Sequence, residues 1–149
     1  MTVPSTVLLQ GDPAQINQTG AAKRAAGYYS TAINGGWHTV TADVLDFTGR
    51  IYIEASLVAN PTENDWFAVK LVDMSIAGAE VDGGDAQGSI VDYAQYPMDP
   101  SNPTDVHGDT GTFGWTFRGN YVWVRARIDR SYLVSTTDVG VARKILMVV

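Results

Sequence analysis

The sequence contains no cysteine, two histidines, and no run of consecutive apolar residues approaching the roughly 18 that a membrane-spanning helix needs. Without cysteine there are no disulfides and no thiolate metal centres, so stability must come from a core or from association. His38 and His107 lie far apart in the chain with no thiolate to help, which leaves no zinc pattern and no metal site to expect. The opening MTVPSTVLLQGDP lacks a basic leader, and Val7-Leu8-Leu9 is too short for a signal core. The expectation is a soluble protein that is not exported by that route and has no membrane partner.

Charge is scarce as well. Only 17% of the 149 residues are charged, below the roughly 25% usual for soluble domains, while 45% are hydrophobic. A chain of this composition and length forms one globular domain, and a low charged fraction fits a surface covered in an assembly. The net charge of −6 is unevenly placed. Residues 1–110 carry four Lys/Arg against fourteen Asp/Glu, and residues 111–149 carry six against two. An acidic chain repels phosphate backbones, so nucleic acid is not an expected partner and contact between acidic and basic faces is.

Residues 1–34 show neither helical nor strand periodicity, and the glycines at 20 and 27 bracket GAAKRAAGYYS too closely for a stable helix. They read as an extended N-terminal arm, folded over its own domain or reaching a neighbouring subunit. From residue 35 the signal is β. WHTVTADV is rich in β-branched residues, and in RIYIEASLV the set Ile51, Ile53, Ala55, Leu57 alternates with Arg50, Tyr52, Glu54, Ser56. WFAVKLVDM reads as one strand with Phe67, Val69 and Leu71 on a single face. Residues 77–110 hold most of the turn formers around a short strand at 89–96, and VARKILMVV closes the chain as a strand that must be paired to avoid fraying. About seven short strands and no long helix predict an all-β, antiparallel, jelly-roll-like β-sandwich over residues 35–149.

Chemistry-bearing patterns are weak. Asp82, Asp85, Asp105, His107 and Asp109 crowd Gly-rich loops but lack calcium-loop spacing, so solvated turns are favoured. Glu54 and Asp65 as an acid–base pair are outweighed by pairing with arginines or capping turns. No nucleophile elbow and no phosphate-cradling glycine motif occurs, so neither an enzyme nor a cofactor is expected.

The densest signal is TFGWTFRGNYVWVRARIDRSY, residues 112–132, with six aromatics and four arginines. Gly119-Asn120 between two aromatic β runs predicts a hairpin with a type II′ turn. Period-2 alternation then places Phe113, Trp115 and Phe117 in the core with Val122, Val124, Ala126 and Ile128. It leaves Arg118, Tyr121, Trp123, Arg125 and Arg127 as a candidate interaction stripe. Tyr, Trp and Arg are the residues enriched at interface hot spots. The same set also fits packing against residues 1–34, a sugar-stacking platform, or a single-strand nucleic-acid platform.

RIYIEASLVANPTENDWFAV, an alternating strand followed by Pro61 and Asp65-Trp66-Phe67, resembles small β-sandwich virion proteins of tailed bacteriophages, among them capsid decoration (cement) proteins and neck or tail-attached components. The similarity is loose over residues 30–90 and sharp over 50–69, and the GNYVWVRARI segment suits the same group. It implies a non-enzymatic structural protein, commonly a homotrimer, that clamps onto the major capsid protein or another virion protein after synthesis in the host bacterial cytoplasm. It also implies Trp66 and Phe67 as core anchors. A carbohydrate-binding module of a tail or receptor-binding apparatus is the alternative, with Trp123 or Tyr121 exposed in a shallow groove beside Asp or Asn.

Overall fold

The computed structural model describes residues 5–28, 33–73, 90–97 and 108–149. Asp82, Asp85, Asp105 and His107 of the acidic loops lie outside the described residues. Two antiparallel sheets pack together, so the expected sandwich is present. The strands, in chain order, are β1 (Thr6–Gln10), β2 (Gln18–Thr19), β3 (Lys23–Arg24), β4 (Trp37–Phe47), β5 (Gly49–Ser56), β6 (Phe67–Ala68), β7 (Leu71–Asp73), β8 (Ile90–Val91), β9 (Ala94–Tyr96), β10 (Asp109–Arg118), β11 (Trp123–Asp129) and β12 (Val141–Val148). Sheet I runs β1-β12-β4-β10-β7-β8, and sheet II runs β2-β11-β5-β6, with β3 also on β11 and β9 also on β5.

Both flanks of sheet II are therefore strands broken in two. β2 and β3 cover successive parts of β11, joined by Gly20 N–H donating to Ala126 O at 2.8 Å. β6 and β9 cover opposite ends of β5. Over residues 5–28 the N-terminal segment folds onto its own domain and enters both sheets. Leu8 and Leu9 are core residues, and β1 pairs with the terminal strand β12. Strand pieces of two residues leave no period to read in a sequence, which is why this segment looked irregular.

Two strand connections differ from expectation for one reason. An alternating pattern says which residues face the core, but both sheets face the same core. β10 and β11 are not a hairpin: β10 pairs with β4 and β7 in sheet I, and β11 pairs with β5 in sheet II. Gly119-Asn120 is the corner between sheets. Positive φ falls on Gly35, Gly36, Gly49, Gly111 and Gly140 rather than on Gly119. What Gly119 supplies is closeness, since a Cβ there would lie 2.4 Å from the Tyr121 ring. The WFAVKLVDM segment likewise divides into β6 in sheet II and β7 in sheet I. Val69 and Leu71 reach the core, but Phe67, on a two-residue edge strand, is 42% exposed and Trp66 lies half-buried on the outer side, so neither is a core anchor. Leu57, placed with the apolar set of its strand, falls beyond the end of β5 and is exposed.

The core forms where the inner faces meet. Val40, Ala42, Val44, Trp115, Phe117, Ile145 and Met147 of sheet I pack against Ile51, Ile53, Ala55, Val124, Ala126 and Ile128 of sheet II. Each fully buried aliphatic or aromatic side chain stabilises by about 1.5–3 kcal/mol. At one end Arg130, 3% exposed, donates to the carbonyls of Thr48, Ile16, Val139 and Gly140 and covers the Phe47 ring. It ties together the N-terminal segment, the β4–β5 corner and the β11–β12 connection.

Candidate functional site

The outer face of sheet II carries the organised side chains. Because β11 and β5 are antiparallel neighbours, Trp123 lies opposite Ser56, Arg125 opposite Glu54, Arg127 opposite Tyr52 and Asp129 opposite Arg50. Each arginine meets an aromatic ring. Arg125 stacks on Trp66 at 4.2 Å, Arg127 on Tyr52 at 4.2 Å, and Arg50 sits between Tyr93 at 4.5 Å and Tyr132 at 4.0 Å. Such contacts contribute about 0.5–2 kcal/mol each, depending on desolvation.

Carboxylates neutralise most of this charge. Glu54 Oε1 accepts from Arg125 Nε at 2.9 Å and its Oε2 from Arg127 Nε at 3.0 Å. Asp65 instead closes the 3₁₀ turn Glu63–Asp65, accepting from Thr62 N–H at 2.6 Å and from the Thr62 hydroxyl at 2.9 Å. The two carboxylates are thus a strand-to-strand ion pair and a turn cap. At the far end, hydrogen bonds from the Ser131 hydroxyl and N–H hold the Asp129 carboxyl below its ordinary pKa. Burial raises the Tyr132 phenol.

At the near end of β11 an open groove of 490 Å³ runs between Trp66 and Trp123. Arg125 lies in it, and Asn60, Pro61 and Glu63 of the loop after β5 form one wall. The indole N–H of Trp123 donates to Ala59 O at 2.9 Å, and Tyr28 braces the same ring at 5.3 Å.

Of the candidate stripe, Trp123, Arg125 and Arg127 share this outer face, with Arg125 buried to 9% exposure by its carboxylate partners and Trp66. Tyr121 does not join them. It stands at the corner between sheets, against Phe67 at 5.8 Å, Phe117 at 6.0 Å and His38 at 5.9 Å, and burial raises its phenol. Arg118 ends β10 on sheet I, where its Nε donates to Gly35 O at 2.9 Å and its guanidinium lies 5.6 Å from the Trp37 ring. Trp66 and Tyr93 had no signal marking them as part of the face. Tyr52 and Arg50 did, because they alternate with the core isoleucines of β5.

The outer face of sheet I is of a different kind. Val7, Leu146 and Thr41 lie side by side, as do Val148, Thr39 and Thr116, and Trp37 lies opposite Arg118 at one end. Val7 is 41%, Trp37 43% and Val148 43% exposed. Among the described residues charge lies at the margins, with Arg118 at one end, Lys144 and the Asp43–Arg143 ion pair at the other, and the Lys70–Asp92 ion pair beside β7 and β8.

These features define a two-sheet β-protein with one outer face whose charge lies at its margins and one face of paired arginines, aromatics and carboxylates. No protein-family model, curated protein or solved structure matches the chain, so a functional reading rests on these two faces.

Proposed function

We propose that the chain is a structural virion protein of a tailed bacteriophage, a capsid decoration protein that acts by burying sheet surface against copies of itself and against the shell. The observation that carries this reading is the outer face of sheet I. Val7, Leu146, Val148, Trp37 and the threonines between them are neighbours on this face, and among the described residues its middle carries no ionisable side chain. Contiguous apolar surface of this kind marks interaction sites. The resemblance of residues 50–69 to decoration proteins supplies the biological setting, and the acidic balance of residues 1–110 against the basic balance of 111–149 favours contact between copies.

A stable interface needs about 800 Å² per partner, which calls for most of one sheet face. Light scattering on the purified protein, and co-sedimentation with capsids lacking it, test the reading together. An oligomer that binds capsids, and loses both properties on Trp37→Asp or Val148→Glu with the fold intact by circular dichroism, is the expected result. A wild-type monomer that ignores capsids overturns it.

A further inference from the structure

We propose that the groove between Trp66 and Trp123 is a binding site for a neutral oligosaccharide. The proposal does not depend on the assembly reading, because the groove lies on the outer side of sheet II and the assembly face on sheet I.

The groove is built before any ligand arrives. Trp123 is oriented by its hydrogen bond to Ala59 O and braced by Tyr28, and Trp66 is held under the Arg125 guanidinium. Preorganised rings lower the ordering cost of binding. With the indole N–H of Trp123 already engaged, what the ring offers a ligand is its π surface.

Charge decides the class of occupant. Arg125 has Nε on Glu54 at 2.9 Å and its two terminal nitrogens on Glu63 at 3.4 and 3.3 Å. A phosphate, sulfate or carboxylate therefore finds a guanidinium already neutralised, with the Glu63 carboxylate beside it. A purely aliphatic ligand fares no better, because it would cover Glu63 and Asn60 without replacing their water. The Glu63 side chain is 86% exposed, so its outer lone pairs are free to accept. A pyranose satisfies both demands: its C–H face lies on an indole, and its hydroxyls donate to Glu63 and exchange hydrogen bonds with the Asn60 amide. Apolar walls with a few fixed polar groups are the usual make-up of a small-ligand site.

The test uses the full chain and a panel of maltohexaose, cellohexaose and chitohexaose, followed by a glycan array holding neutral and acidic members. Binding is read by tryptophan fluorescence and calorimetry. The expected result is saturable binding of at least one neutral glycan, unchanged by added salt. Trp123→Ala should weaken it about tenfold or more. Asn60→Ala, on an exposed loop where the fold is not at stake, should weaken it about fivefold. Trp37→Asp should leave it intact, which separates this proposal from assembly. No neutral glycan bound by the folded protein, binding confined to acidic glycans and abolished by salt, or binding that survives both groove substitutions each overturns it.

Discussion

Arg125 and Glu54 form an ion pair across the β5–β11 ladder, Nε to Oε1 at 2.9 Å, with side chains only 11% and 10% exposed. The pair sits on the outer face of a sheet, yet it is covered, because Trp66 lies over the guanidinium and Arg127 reaches the other carboxylate oxygen at 3.0 Å. Covered charges behave unlike surface pairs. Their mutual attraction offsets a desolvation cost, so removing one partner leaves the other stranded.

The first prediction is therefore asymmetric. Glu54→Ala should destabilise by about 3 kcal/mol, because buried Arg125 keeps only the exposed Glu63 as a partner and Arg127 loses its nearest carboxylate. The double change Glu54→Leu with Arg125→Met should cost less than Glu54→Ala alone. Urea denaturation measures both, and with the single variants Glu54→Leu and Arg125→Met completing the cycle, additive costs would show that the two residues act independently.

The alternation of β5, β10 and β11 made their core residues legible: Ile51, Ile53, Trp115, Phe117, Val124 and Ala126 are all buried. The same alternation put Trp123, Arg125 and Arg127 on a common outer face. What it could not carry was the sheet to which each strand belongs, since Phe117 and Val124 face one core from opposite sides. Tyr121 was misplaced for that reason, its ring turning into the corner once the hairpin was gone. The Trp66 contact was hidden because it depends on how the loop after β5 folds back over β11. His38, which the sequence marked only as lacking zinc-ligand partners, is hydrogen-bonded and fully buried.

His38 yields a pH prediction. Its Nε2 accepts from Ala26 N–H at 3.1 Å, its ring lies flat on Phe117 at 4.7 Å, and its Nδ1 has no hydrogen-bond partner among the described residues. Burial lowers its pKa from 6.5, partly offset by the Gly36 and Phe117 carbonyls. As pH falls the unfolded chain takes up the proton first, so stability is complete above about pH 6.5 and declines below it until the folded-state value is passed. Denaturant titrations should show this loss well above the acid range in which Asp129, also lowered, titrates. His38→Gln should flatten the curve near pH 6, and an unchanged slope there would rule out His38 as its source.

Arg130 is the third test. Among the described residues it has no carboxylate partner and relies on four backbone carbonyls, contacts that burial makes costly to lose. Arg130→Met should destabilise by about 3 kcal/mol or more, since several buried acceptors lose a charged donor. Arg130→Lys keeps the charge but not the fork, so its melting temperature should fall between wild type and Arg130→Met. Equal losses for Lys and Met would mean that the guanidinium geometry contributes everything and the charge nothing.

The last prediction concerns the corner that replaces the expected hairpin. Gly119 N–H donates to Gly36 O at 3.0 Å, and a Cβ on Gly119 would lie 2.4 to 2.7 Å from atoms of the Tyr121 ring. That ring cannot swing aside freely, because Phe67, Phe117 and His38 surround it. Gly119→Ala should therefore cost about 1–3 kcal/mol, the usual cost of overpacking. If φ were what mattered at residue 119, shortening the neighbour would not help. Because closeness matters, Tyr121→Leu should absorb part of the cost, and the double variant should be more stable than the sum of the single losses predicts. Thermal melts of the four proteins decide between the two accounts, with strict additivity counting against a clash with the ring.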